Sequence, residues 1–214
     1  MDYSRPILTK QDQVIEQIRE QIIAGEYKRG ERLRQQDIAD RLGVSITPVR
    51  EALKALEMEG YVKVYPNKGI YIPEQSRTDV LEIYELRLML ETFLVERAMD
   101  NIQDTDLLEL TSLHKQYVNA LEARDYIGIR TANVKFHFRL YELGNSPQTL
   151  QFVRVLWAKT PFNFQDLGEP ARFHQIHDEH SDILEKILNH DKAGVVASFR
   201  QHLLSGRRRL YETP

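Results

Sequence analysis

Residues 35–60 read QQDIADRLGVSITPVREALKALEMEG, and two glycines divide the stretch into helical pieces. In Gln35–Leu42 the apolar residues Ile38, Ala39 and Leu42 share one helix face, and Gly43 breaks the pattern. A second helix is predicted from Ser45 to Glu59. Ser45 and Thr47 are its candidate caps, Pro48 sits where a first-turn proline is tolerated, Val49, Ala52, Leu53 and Leu56 point inward, and Gly60 stops it. Two helices joined by a short glycine-containing turn have helix-turn-helix geometry.

Working outward, Val14, Ile15, Ile18, Ile22 and Ile23 recur at helical spacing over Gln11–Ala24, and residues 26–33, EYKRGERL, read as a loop. After Gly60 the period changes. Tyr61, Val62 and Val64, then Pro66-Asn67-Lys68-Gly69, then Ile70, Tyr71 and Ile72 predict two short strands around a turn. Residues 1–73 thus read as a winged helix-turn-helix domain, 74–78 as a polar linker and 79–214 as an all-α antiparallel bundle. Its predicted helices are about 79–99, 104–123, 125–143, 147–165, 170–189 and 191–211.

The chain has 214 residues, of which 42% are hydrophobic and 29% charged, and it contains no cysteine. That composition is globular, and the lack of thiols excludes disulfides, iron–sulfur clusters and cysteine zinc sites. No apolar run reaches the length of a membrane span and the N-terminal residues lack a secretion-signal core, so a cytoplasmic location without membrane association is expected. Residues 1–73 carry 12 Lys+Arg against 11 Asp+Glu, and the remainder 17 against 21. Nucleic-acid binding must therefore rest on individual basic groups rather than on net charge.

In a helix-turn-helix the second helix enters the major groove with its N-terminus at the base edges. Ser45 and Thr47 then hold phosphates, Arg50 can read guanine with its fork, Lys54 follows one turn on, and the Lys68-Gly69 wing tip reaches the backbone or minor groove. Arg34 and Gln36 at the start of the preceding helix are further candidates for contact. A solvated helical face is the plainer alternative for Arg50.

All seven histidines lie beyond the linker. His180 falls within the apolar stripe Phe173, Ile176, Ile183 and Ile187, and His202 follows Val195 and Phe199 on the inward face of the last helix. His137 lies one turn after Asn133 on a third helix, about 40° round the axis. Three inward imidazoles with an oxygen ligand at i, i+4 can be a metal site of a bundle or, as readily, hydrogen-bonded core histidines. His177, about 60° from His180, could line the same cavity. His174 is expected at the surface, and His114 and His190 in the core or at the surface.

The motifs Gly30-Glu31-Arg32-Leu33, Asp37-Ile38-Ala39, Leu42-Gly43-Val44-Ser45, Thr47-Pro48-Val49-Arg50-Glu51-Ala52-Leu53 and Gly60-Tyr61-Val62 closely resemble the winged-helix domain of GntR-family bacterial transcription regulators. One departure is Ile46, where that family often has arginine. Tyr84-Glu85-Leu86-Arg87 with Glu91, Asn133 with Phe136-His137, Glu179-His180 and His202 look like the effector domain of the family's fatty-acid-regulator (FadR/FCD) branch. This resemblance implies a homodimer on double-stranded operator DNA, with repression the expected mode. It also implies a divalent ion, zinc or nickel, bound by His137, His180 and His202, with a small carboxylate effector completing its shell. Asn133 stands where the branch has Asp and brings an amide oxygen without charge. Arg87, beside Tyr84 on an apolar stretch, needs an anion: either Glu91 at i+4 or the effector's carboxylate. Tyr84 and His177 are expected beside that effector. Two other readings remain: a metal sensor without organic effector, and a helical HD-type metal phosphohydrolase, suggested superficially by His177-Asp178.

Overall fold

Helix α1 (Lys10–Ile23) begins at a capping box: the Thr9 hydroxyl accepts from the Asp12 amide at 3.1 Å while the Asp12 carboxylate accepts from the Thr9 amide at 2.9 Å. The structure, a computed structural model, describes residues 9–160 and 170–212, with side chains described for 9–160 and 172–207. The chain divides into two units between Gln75 and Ser76.

In the first unit α1 buries Val14, Ile18 and Ile22 against α3 (Ile46–Met58), whose Val49, Ala52, Leu53 and Leu56 are fully enclosed. Arg19 ties the two helices at its rim, forking onto Glu59 at 2.9 and 3.0 Å and pairing with Glu16. Helix α2 (Gln35–Leu42) leads into α3 through Gly43, where the helix breaks as expected and φ of 64° with ψ of 34° forms a left-handed cap. Ser45 takes the N-cap place of α3 but makes no side-chain cap bond, and Thr47 is already helical.

The wing has a third strand. Within the stretch expected to be loop, β1 (Arg32–Leu33) pairs antiparallel with β3 (Gly69–Tyr71), which also pairs with β2 (Lys63–Tyr65), giving the order β1-β3-β2. Two residues are too few to show a period in sequence. The β2–β3 turn places Pro66 and Asn67 at its centre, closes with Lys68 N–H on the Tyr65 carbonyl at 3.0 Å, and holds Asn67 at φ 61°.

The second unit consists, among the described residues, of α4 (Arg77–Asn101), α5 (Asp104–Glu122), α6 (Tyr126–Leu143), α7 (Pro147–Lys159), α8 (Pro170–Leu188) and α9 (Lys192–Glu212). Helix α4 starts two residues earlier than expected because Ser76 and Asp79 form a second capping box, so Arg77 and Thr78 leave the linker and join the helix. Helix α7 ends at Lys159, and the part of its expected span beyond Thr160 lies outside the described residues. Helix α4 packs on α6, α7 and α9, α5 on α6 and α8, and α8 on α9. At one core, Tyr117, Ile129, Ala132, Phe173 and Ile176 meet, and the Tyr117 hydroxyl donates to the Phe173 carbonyl at 3.1 Å. No described helix is long and apolar enough to cross a membrane.

Packing rather than turn strain should limit the first unit. Leu53, with no exposure, should cost about 2–5 kcal/mol when changed to alanine. Gly43→Ala adds a Cβ that meets nothing within 4 Å but keeps φ at 64°, for about 1–2 kcal/mol. Urea unfolding followed by circular dichroism checks the order; a Gly43→Ala loss as large as that of Leu53→Ala would reverse it.

Candidate functional site

Two sets of side chains stand out, one in each unit. In the first, Thr47, Arg50 and Lys54 follow one another at i+3 and i+4, so they form a stripe, and all three are exposed. The opposite face of α3 carries the core residues Val49, Ala52, Leu53 and Leu56, which fixes the stripe outward. Arg50 has no ion pair among the described residues, while Lys54 lies 2.9 Å from Glu51. Ser45 is exposed at the start of α3, Arg34 is exposed at the start of α2, and Gln36 donates to Asp40 at 2.8 Å. At the wing tip Lys68 is exposed, and Gly69 has φ 114° with the Arg32 guanidinium lying across it, 2.9 Å from where a Cβ would stand. The positive φ calls for glycine there, since the flexible Arg32 side chain can shift aside.

In the second unit α6, α8 and α9 each contribute one imidazole to a common point. His137 Nε2 lies 3.1 Å from His180 Nε2 and 3.2 Å from His202 Nε2, and the three ligand atoms all lie within 4.8 Å of one another. His137 and His180 are buried and His202 nearly so. The proton positions follow from the outer ring nitrogens. Glu179 accepts His202 Nδ1–H at 2.7 Å and is itself fixed by Ser205 Oγ at 2.7 Å and Gln175 Nε2 at 3.0 Å. Tyr141 Oη lies 3.0 Å from His137 Nδ1 and 2.5 Å from Glu91 Oε2. A carboxylate only accepts, so the phenol proton goes to Glu91 and the phenol oxygen takes Nδ1–H of His137. With Nδ1 protonated on both rings, the Nε2 atoms of His137 and His202 face each other at 3.2 Å, a gap that a shared proton or a bound cation can bridge.

That arrangement fits a cation. Two imidazoles on one tetrahedral zinc, with bonds of about 2.05 Å, place their nitrogens about 3.3 Å apart, close to the separations made by His137. Burial, and then the neighbouring imidazoles His180 and His202, hold His137 well below the usual histidine range. Burial and then His202 act likewise on His180, so both rings are in the neutral form that ligates.

Asn133 is buried one turn before His137, as the spacing predicts, and its side chain makes no hydrogen bond among the described residues. His177 is not one of the three clustered histidines: its Nδ1 lies 3.1 Å from Asp178, and its ring stacks on His114 at 5.3 Å. His114 meets Ser181 Oγ at 3.2 Å, and His174 and His190 are exposed.

Arg87 is 2% exposed and held by Glu91, with Nε on Oε1 at 2.5 Å and Nη2 on Oε2 at 3.4 Å, and it donates through Nη1 to Thr160 Oγ1 at 3.2 Å. Its guanidinium lies 5.0 Å from the Tyr84 ring and 4.6 Å from that of Trp157. Burial is the largest single influence and opposes its charge, but Glu91, Tyr84 and Tyr141 together outweigh it and hold the guanidinium above its ordinary range. Tyr141, Trp157, Thr160 and Glu179 were not among the expected site residues. Tyr141, at i+4 from His137, had a positional signal; Thr160 and Glu179 had none distinct from surface residues.

Residues 10–72 match the gntR family of bacterial regulatory proteins and residues 82–205 match the FCD domain. The HTH-type transcriptional regulator McbR of Escherichia coli (strain K12) is 31% identical over 185 residues, covering 85% of this chain and 84% of that protein. The uncharacterized HTH-type transcriptional regulator YdhC of Bacillus subtilis (strain 168) is 32% identical over 198 residues, covering 90% and 85%. The solved structure of E. coli McbR/YncC superposes with a TM-score of 0.88 at 27% identity, over 96% of this chain and 99% of that one. These are families of regulators and not of enzymes, which removes the phosphohydrolase reading. The chain belongs to the GntR family, with an FCD domain following its winged helix, and is a DNA-binding transcriptional regulator.

Proposed function

We propose that this regulator is a homodimeric repressor whose second unit binds a divalent ion through His137, His180 and His202 and answers to a small carboxylate. The observation that carries the metal reading is the meeting of three Nε2 atoms with two of their tautomers set from outside. Zinc or nickel suits an all-imidazole set, and Asn133 can add an amide oxygen. When bound, the ion would supply positive charge and an open position for an anionic oxygen. Arg87, Tyr84 and His177 are the effector-side residues of this reading.

Operator recognition is assigned to the exposed stripe of α3, with Arg50 reading a base and Ser45, Thr47 and Lys54 on phosphate or base edges. Arg34, Gln36, Lys68 and Gly69 add backbone or minor-groove contacts. Dimerisation gives two such readers for two half-sites.

One observation favours a second reading, in which the metal alone is the signal. Arg87 already has its carboxylate in Glu91 and a further acceptor in Thr160. An effector that uses Arg87 must compete with an ion pair already formed. Titrating operator binding with zinc alone, and with zinc plus di- or tricarboxylates, separates the two. A response complete with zinc alone supports the sensor.

Arg50→Ala should weaken operator binding by about 1–3 kcal/mol and relax base preference, whereas Lys68→Ala should weaken all sequences alike and flatten the salt dependence. Fluorescence anisotropy over a range of salt concentrations checks both; unchanged affinity in Arg50→Ala removes α3 as the reader.

Changing His137, His180 or His202 singly to alanine should abolish stoichiometric metal and the thermal stabilisation that zinc gives the parent, since an ion bound by the folded state stabilises it by mass action. Asn133→Asp should tighten zinc by adding charge. Elemental analysis after zinc loading decides: an ion-free parent makes the three histidines a polar core. Arg87→Ala should lose carboxylate binding while keeping zinc, and full retention of carboxylate binding would leave Arg87 to Glu91 alone.

A further inference from the structure

A histidine can ligate through Nε2 only when its proton is on Nδ1, so what holds Nδ1 decides whether the ring is ready. His202 is held directly by the Glu179 carboxylate at 2.7 Å. His180 is packed by rings, stacked on Phe136 at 5.0 Å and edge-on to Tyr117 at 5.6 Å. His137, whose Nε2 lies within 3.2 Å of both of the others, is held at one remove: a carboxylate on α4 acts on it through a phenol on its own helix.

We propose that Glu91 and Tyr141 form a positioning relay that keeps the Nε2 lone pair of His137 turned toward the metal, and that the relay makes metal affinity depend on α4. The proposal rests on the metal reading above and adds the residues that prepare the site.

The direction of the relay follows from what each atom can do. Arg87 Nε and Trp157 Nε1 can only donate, and they reach Glu91 Oε1 at 2.5 and 2.9 Å. Glu91 is therefore an acceptor, and its Oε2 takes the Tyr141 proton. A phenol has a single proton to give, and Glu91 takes it. Its oxygen is then left to accept from His137 Nδ1. Reversing the chain would require a protonated Glu91 beside the guanidinium of Arg87.

An interposed phenol differs in effect from a carboxylate placed against the ring. It fixes orientation and tautomer without setting a full negative charge beside the imidazole. It also links the ligand to a carboxylate shared with Arg87, so one side chain of α4 serves the cation of the ion pair and the ligand of the metal.

The tautomer can be read without metal. In metal-free parent protein, long-range proton–nitrogen correlation on labelled imidazoles should find the His137 proton on Nδ1. Tyr141→Phe should mix the tautomers and weaken zinc by about 10- to 100-fold in chelator competition, the range typical of lost outer-shell partners. Glu91→Gln, whose amide can donate back to Tyr141, should mix them as well. Thr111→Val, an exposed position of α5 whose hydroxyl bonds only the Leu107 carbonyl, should leave the His137 spectrum and zinc affinity as in the parent.

A parent with the His137 proton on Nε2 overturns the relay, as does a folded Tyr141→Phe with unchanged tautomer and zinc affinity. Should Tyr141→Phe not fold, the parent spectrum still decides. A parent that binds no zinc overturns the metal reading and the affinity half of the relay, while the spectrum alone decides the tautomer half.

Discussion

The Glu91 carboxylate, with no solvent exposure, receives two hydrogen bonds from Arg87, one from Trp157 and one from Tyr141. Withdrawing such a charge from water costs several kcal/mol, which is offset only when the partners are close and the remaining lone pairs are filled. Both conditions hold, and they constrain the bundle. Three helices must meet at one point: α4 brings the ion pair, α6 the phenol and α7 the indole. Misplacing any of them leaves a buried charge short of a donor, a penalty that apolar packing alone would not impose with the same precision of position.

The first unit is stabilised differently. Its interior is apolar, with Ile18, Val49, Leu53 and Leu56 enclosed, and its cations lie outside. The Arg19–Glu59 pair sits at the rim with the carboxylate 30% exposed. A rim pair contributes less than a buried network, so shape and apolar area carry this unit. An exposed cationic stripe suits a polyanion because its cations keep their water until a phosphate or base edge replaces it. The buried cation of α4 has already exchanged water for Glu91.

The fold was readable where period and glycine agreed. Helices α1 to α3, the break at Gly43 and the wing turn stand where hydrophobic spacing and turn residues put them, because local backbone preference and burial point the same way there. Strand β1 was not readable, since Arg32 and Leu33 owe their strand to pairing with β3 and not to any pattern of their own. The start of α4 was written in Ser76 and Asp79, but a capping box of polar residues resembles a linker when only apolar periodicity is followed. In the second unit, helical spacing placed His137, His180 and His202 inward. For His177 it gave only an angle of about 60° from His180, and an angle on one helix does not say which neighbour a side chain meets; its ring stacks on His114. Tyr141, Glu179 and Thr160 were the hardest to find: each matters through a contact with another helix or a loop residue, and such pairings appear only when the helices are assembled.

Helix α4 begins at the start of the second unit and carries Glu91. From the Ser76 cap to Glu91 it runs fifteen residues without glycine or proline, about 22 Å of continuous helix. Such a segment has few ways to absorb a local shift by bending. Its buried end is fixed by donors from α6 and α7, and its capped end is where the second unit begins. A ligand can change the position of α4 only by as much as its affinity differs between two positions. The four bonds on Glu91 set what that difference must overcome. Coupling of about 1–3 kcal/mol, enough to shift operator affinity 5- to 150-fold, is smaller than the roughly 3–5 kcal/mol lost when a buried pair is broken outright. A ligand acting through this helix therefore needs to redirect the donors around Glu91, with the ion pair kept, rather than remove its partners.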